Sequence, residues 1–60
     1  MIKRVIDYLK SENFNFTVDK TSHPKIYIFN CDEKGFATIM GKKFKGISER
    51  LNKTQWRIRV

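Results

Sequence analysis

Hydrophobic residues recur at helical spacing at the start of the chain. Apolar side chains spaced i, i+3, i+4 and i+7 share one helix face, and here they are Ile2, Val5, Ile6 and Leu9. The pattern predicts an amphipathic helix over residues 1–11. Asn13 follows it, and asparagine readily takes the left-handed conformation that ends a helix.

The pattern then changes to strict alternation, which is typical of strands. In residues 14–20 the apolar side chains point one way and the polar ones the other, which predicts a half-buried strand. Residues 25–31 predict a second strand that is apolar on both faces. Ile26 and Ile28 share one face, and Tyr27 and Phe29 share the other. A strand of this kind lies in the middle of its sheet or keeps one face for a partner.

The second half of the chain gives weaker signals. An acidic turn ending in Gly35 predicts a hairpin into a third strand over residues 36–40. Ser48 is a suitable N-cap, and residues 47–55 are interpreted as a helix. Residues 56–60 alternate apolar and basic side chains and are equally consistent with a short C-terminal strand.

These elements follow one another in the order helix, strand, strand, strand, helix. They predict a single small α+β domain over residues 1–60, a two-layer sandwich with an antiparallel three-stranded sheet and a possible short C-terminal strand.

Positive charge is concentrated in the last third of the chain. The formal net charge is +7, and residues 41–60 hold seven cations against Glu49 alone. A local surplus of this kind repels itself unless an anion approaches, which favours a nucleic-acid backbone as the partner. The alternative is a solvated basic face that only aids solubility.

Composition excludes several classes of protein. One cysteine, Cys31, forms no internal disulfide and suits a reducing compartment. One histidine and one cysteine cannot supply the three or four ligands of a zinc site, so we expect no metal and no cofactor. The apolar positions near the start are interrupted by Asp7 and Lys10, so we expect no signal peptide, no membrane association and a cytoplasmic location.

The stretch Thr21-Ser22-His23 holds the only histidine, just before the second predicted strand. An imidazole can move protons near neutral pH, so His23 is the candidate catalytic acid–base for cleaving RNA. The alternative is a surface loop residue that forms local hydrogen bonds. The cations predicted to hold RNA are Lys25, Lys42, Lys43, Lys45, Arg50 and Lys53. Tyr27, Phe29 and Trp56 are candidates for base stacking. The alternatives are a hydrophobic patch that binds a protein partner, or the core, and for Phe29 the core or an interface is preferred.

These features resemble the HicA family of small toxins. The similarity lies in an amphipathic first helix, in Thr21-Ser22-His23 leading into Ile26-Tyr27, and in Lys45-Gly46-Ile47-Ser48 before the last predicted helix. It covers roughly residues 4–53. Three departures are Thr21, where the family usually has glycine, Pro24 directly after the histidine, and the possible strand over residues 56–60, which the family does not have. The resemblance implies a double-stranded-RNA-binding-domain fold, metal-independent cleavage of mRNA and a HicB-like antitoxin as partner.

Two other functions are consistent with the same sequence. One is a non-catalytic nucleic-acid-binding module. The other is a small phage-type regulator that binds a host protein, either through the sheet face around Tyr27 and Phe29 or through residues 56–60 adding a strand to the partner's sheet.

Overall fold

The computed structural model describes residues 2–60, which form two helices and a four-stranded antiparallel sheet. The elements are α1 (Ile2–Ser11), β1 (Thr17–Lys20), β2 (Ile26–Asn30), α2 (Phe36–Lys42), β3 (Ser48–Arg50) and β4 (Gln55–Arg59). The strands lie in the order β1-β2-β4-β3. The predicted α+β class is therefore confirmed. Within residues 2–60, neither helix has the length and apolar character needed to cross a membrane.

The core lies between the two helices and one face of the sheet. In the sheet, Phe29 of β2 is paired with Trp56 of β4, and Tyr27 with Ile58, so these four side chains share the inner face. The edge of the Phe36 ring packs on Trp56 with ring centroids 5.0 Å apart. The buried residues among those described are Val5, Leu9, Phe29, Cys31, Phe36, Met40, Trp56 and Ile58.

The first half of the chain follows its sequence pattern closely. The α1 helix ends at Ser11, and Asn13 takes the predicted left-handed conformation with φ of 64°. Met1, which the predicted helix included, lies outside the described residues. The first strand begins at Thr17 rather than at residue 14. Phe14 and Phe16 pack their rings against Phe36, and the chain begins to pair with β2 only after them.

The predicted strand over residues 36–40 is wrong, since this segment is helix α2. Phe36 and Met40, which are both fully buried, lie four residues apart. That spacing places two side chains on the same face of a strand and of a helix alike, so a five-residue segment does not distinguish the two. Gly35 precedes the helix with φ of 92°, a conformation that glycine adopts without strain.

The predicted helix over residues 47–55 is also wrong, because this segment contains β3 and the turn into β4. Polar side chains close that turn: the Asn52 Oδ1 accepts a hydrogen bond from the Thr54 N–H at 2.9 Å. The C-terminal alternation gives a strand, with Trp56 and Ile58 buried and Arg57 and Arg59 exposed. The observed order is therefore α-β-β-α-β-β with four strands, in place of the predicted α-β-β-β-α with three.

Candidate nucleic-acid interface

Three segments of the chain meet at one end of the sheet, where β1 and β4 end and β2 and β3 begin. They are the β1–β2 connection (residues 21–25), the α2–β3 connection (residues 43–47) and the end of β4. Backbone hydrogen bonds join them: the Val60 N–H donates to the Lys25 carbonyl at 2.8 Å, and the Arg59 N–H donates to the Ile47 carbonyl at 3.0 Å. We call this the basic end, and the opposite end of the sheet the polar end.

Charge is divided unequally between the two ends. The first turns of α1 belong to the basic end, because Arg4 lines a groove together with Lys43. Asp7 lines the same groove. Glu49 borders this end from the middle of the sheet, where it lines a depression with Arg59 and forms an ion pair with Arg57 that cancels its charge. Eight of the thirteen cations lie at the basic end: Lys3, Arg4, Lys20, Lys25, Lys42, Lys43, Lys45 and Arg59. The remaining five cations and five carboxylates balance, so the formal net charge of +7 belongs to the basic end.

Four of the six predicted RNA-binding residues lie at the basic end. Lys42 closes α2, Lys43 and Lys45 follow it in the connection to β3, and Lys25 lies just before β2. All four side chains are exposed, and none forms a hydrogen bond or ion pair within residues 2–60. The Lys43 Nζ lies 5.0 Å from the centroid of the Tyr8 ring, a cation–π contact. Their charges are therefore available to an anionic ligand.

Arg50 and Lys53, the other two predicted residues, lie at the polar end in and beside the β3–β4 turn. The Arg50 guanidinium donates to the carbonyls of Asn52 and Lys53 at 3.1 and 3.3 Å, and it stacks 5.3 Å from the Trp56 ring. Arg50 therefore stabilises its own turn. The structure does not bring these two cations together with the other four.

His23 is exposed at the basic end, and its ring is held by the turn that contains it. The Nδ1 atom accepts a hydrogen bond from the Lys25 N–H at 3.2 Å. The Thr21 hydroxyl fixes the same turn, accepting the His23 N–H at 3.1 Å and donating to the Ile26 carbonyl at 2.8 Å. A neutral ring that accepts at Nδ1 carries its proton on Nε2. The accessible ring atom is therefore a hydrogen-bond donor, suited to a phosphate oxygen.

A base role for His23 requires the opposite tautomer. To remove a proton from a ribose hydroxyl, Nε2 must offer a lone pair, so the proton must move to Nδ1 and the bond from Lys25 must break. Within residues 2–60, no carboxylate forms a hydrogen bond to the ring that would stabilise this change. The turn as folded therefore favours binding over proton abstraction.

The aromatic residues proposed for stacking are placed elsewhere. Trp56 is buried with 3% exposure, and Tyr27 lies on the inner face of the sheet. Phe29 is fully buried on the same inner face, so its ring is covered by the core, whereas Tyr27 is half-buried. Strand β4 is paired on both sides, with β2 and β3, and has no free edge to add to another sheet.

Among the residues of the basic end that sequence reasoning missed are Arg4 and Tyr8. They lie four residues apart in α1 and line one groove with Lys43 and Phe44. Their i, i+4 spacing was a signal that they share a helix face. What the sequence could not show is that the α2–β3 connection packs against that face.

The only thiol does not take part in this site. Cys31 is buried beyond the end of β2, and its backbone N–H donates to Thr54 at the polar end. Burial raises the pKa of the Cys31 thiol, and the carboxylates of Glu33 and Asp32 raise it further, against a Glu33 N–H hydrogen bond that lowers it. The thiol is therefore a poor nucleophile at neutral pH.

Comparison with known proteins gives no relative of this chain: no protein-family model, no curated protein and no solved structure matches it.

Proposed function

We propose that this chain is an RNA-binding protein that holds the phosphate backbone at its basic end. The observation that supports this most strongly is the separation of charge: the whole formal net charge lies at one end of the sheet, on exposed side chains. Neutralising phosphates releases condensed counterions, so such a cluster binds polynucleotides with an affinity that falls as salt rises. The exposed Nε2–H of His23 and the hydroxyl of Ser22 supply further donors beside Lys25.

The test compares two triple variants with the same change in net charge. Lys25, Lys42 and Lys45 are replaced by alanine at the basic end, and Lys10, Lys34 and Lys53 in the control. The lysines of the two variants are matched by their place in the fold. Lys42 and Lys10 each lie in the last turn of a helix. Lys25 and Lys53 each lie in the connection between two paired strands.

We expect the basic-end variant to lose about two units of the slope of log affinity against log salt, measured with a fluorescent single-stranded RNA. The control variant retains most of the slope. Equal losses in the two variants would show that net charge alone drives binding and would refute a localised site. If the wild type and both variants fail to bind the RNA even at low salt, RNA binding is refuted altogether.

A second candidate function adds cleavage to binding. The exposed imidazole of His23 lies at the same end as the cations, which favours the metal-independent mRNA cleavage that a HicA-like toxin would perform, with a HicB-like antitoxin as its inhibitor. In this proposal His23 exchanges a proton with the ribose hydroxyl or the leaving oxygen. The observed element order differs from the one that the resemblance implies, so this proposal depends on Thr21-Ser22-His23.

Cleavage is tested by incubating mixed RNA with the wild type and with two His23 variants in the presence of a metal chelator. His23→Asn retains an acceptor for the Lys25 N–H and preserves the turn, whereas His23→Ala removes it. If His23 is catalytic, both variants stop cleavage. If His23 only binds, the wild type releases no RNA fragments, and His23→Asn binds RNA more weakly by less than about tenfold.

A further inference from the structure

A groove runs along the basic end between α1 and the α2–β3 connection. Its volume is about 620 Å³, within the range of pockets that hold a small ligand. Four kinds of side chain line it: the cations Arg4 and Lys43, the aromatic rings of Tyr8 and Phe44, the carboxylate of Asp7, and the aliphatic side chains of Val5 and Ile47.

The Tyr8 ring is held in a fixed orientation. The Phe44 ring lies nearly perpendicular to it, with centroids 5.8 Å apart and an interplanar angle of 84°. The Lys43 ammonium group lies over the Tyr8 ring, 5.0 Å from its centroid. Tyr8 also borders a second, shallower depression that Lys42 and Lys43 line. An oriented ring among cations is the arrangement with which proteins stack an unpaired base while they neutralise the adjacent phosphates.

Asp7 is out of place in a site for phosphate alone. It is exposed, and within residues 2–60 it forms no ion pair, although Arg4 and Lys43 line the same groove. A carboxylate repels phosphate oxygens but accepts hydrogen bonds from N–H groups strongly, because the bond is assisted by charge. The groove therefore suits a ligand that brings N–H donors next to a flat ring and a phosphate.

We propose that this groove receives one unpaired guanine of a bound single-stranded RNA. The base takes the place of the Lys43 ammonium group over the Tyr8 ring and stacks there. The carboxylate of Asp7 accepts its N1–H and N2–H donors, and Arg4 and the displaced Lys43 contact the flanking phosphates. A guanine offers these two donors side by side, matching the two carboxylate oxygens. In a duplex both the face and this edge of the base are covered, so only single strands have access. The proposal rests on RNA binding at the basic end.

The test measures the affinity of the wild type for an oligouridine nonamer and for the same nonamer with one central guanosine. We expect the guanosine-containing RNA to bind about tenfold more tightly, the ratio that one charge-assisted contact gives. Asp7→Ala removes this preference, while its affinity for oligouridine stays equal or rises because a repulsive charge is lost. Glu12→Ala is the matched control, since it removes an exposed carboxylate beyond the other end of α1 and leaves the preference intact.

Stacking is tested with Tyr8→Phe, which keeps the aromatic ring, and Tyr8→Leu, which replaces it with an aliphatic side chain. We expect the leucine variant alone to lose about tenfold in affinity for single strands, with duplex affinity unchanged. Thermal unfolding of both variants controls for their fold. If Tyr8→Leu unfolds, the comparison of Asp7→Ala with Glu12→Ala decides whether the guanine site exists.

The outcomes separate this inference from RNA binding itself. Equal wild-type affinity for the two nonamers, or a guanosine preference that survives in Asp7→Ala, overturns the guanine site. In either case the loss of salt dependence in the Lys25, Lys42 and Lys45 variant still supports RNA binding. If neither nonamer binds to the wild type, RNA binding fails and the guanine site fails with it.

Discussion

The two ends of the sheet use their polar side chains in opposite ways. At the polar end the side chains bond to one another across three strands: Asn30 donates to Asp19 at 2.9 Å, and Gln55 donates to Asn30 at 2.8 Å. Asn52 then donates to Gln55 at 2.6 Å. At the basic end backbone hydrogen bonds join the segments, and the eight cationic side chains assigned to this end form no hydrogen bonds within residues 2–60.

The contrast shows which charges are free to act on a ligand. Arg50 and Lys45 carry the same charge and lie close in sequence, yet the Arg50 guanidinium closes its own turn whereas the Lys45 ammonium group has no partner within residues 2–60. Charge alone does not distinguish them. The contacts do, because a side chain that already binds backbone carbonyls loses those bonds when it turns to a phosphate.

The largest effect on stability is expected from Asn30→Ala. Asn30 connects β1 to β4 through two side-chain hydrogen bonds, so its loss is expected to lower the free energy of unfolding by about 2 kcal/mol. RNA affinity of the folded variant is unchanged. Lys25→Ala is expected to do the reverse, weakening RNA binding with a stability change within about 0.5 kcal/mol. Urea denaturation and RNA titration of both variants check this, and a loss of affinity in Asn30→Ala would break the comparison.

A smaller effect on stability is expected from Arg50→Lys, which keeps the positive charge and removes the planar guanidinium group. Lysine cannot reproduce the paired bonds to the Asn52 and Lys53 carbonyls, so we expect stability to fall by about 1 kcal/mol. Denaturation midpoints measure this. Since the polar end does not bind RNA in this account, affinity and its salt slope stay at the wild-type values. A clear fall in RNA affinity would show that Arg50 belongs to the RNA interface, as the sequence predicted.

The smallest effect is expected from Glu49→Gln. Glu49 forms an ion pair with Arg57, and the two side chains are 60% and 48% exposed, so solvent screens the pair strongly. We expect a loss of stability below about 0.5 kcal/mol. Thermal unfolding at low and high salt checks this. A loss larger than that of Asn30→Ala would show that mid-sheet charges contribute to the fold more than the polar-end hydrogen bonds do.

The sequence predicted the elements whose pattern extends over several turns or pairs. The α1 helix has two full turns of apolar spacing, and β2 has four consecutive residues of β-forming type, so both were found. Phe36 and Met40 fit a strand or a helix equally, and only their packing against Trp56 and α1 selects the helix. Ser48 and Glu49 favour a helix start locally, but pairing with Ile58 and Arg57 of β4 overrides that preference.

The sequence predicted several residues of the candidate site but not their arrangement in space. The lysines of residues 42–45 and the position of His23 beside Lys25 were visible in the sequence. Their meeting with Arg4, Tyr8 and the end of β4 was not, because it depends on the strand order β1-β2-β4-β3. The same strand order separates Arg50 and Lys53 from the other cations, which a count along the chain cannot show.

The most direct test of the central claim is an NMR titration of the isotope-labelled wild type with single-stranded RNA. The amide signals of the described residues distinguish the two ends of the sheet without any mutation. If RNA binds at the basic end, the largest shifts fall in residues 20–26, in residues 42–47 and at Arg59 and Val60. Shifts that are largest at Asn30 and in residues 50–55, or spread evenly over both ends, would contradict it.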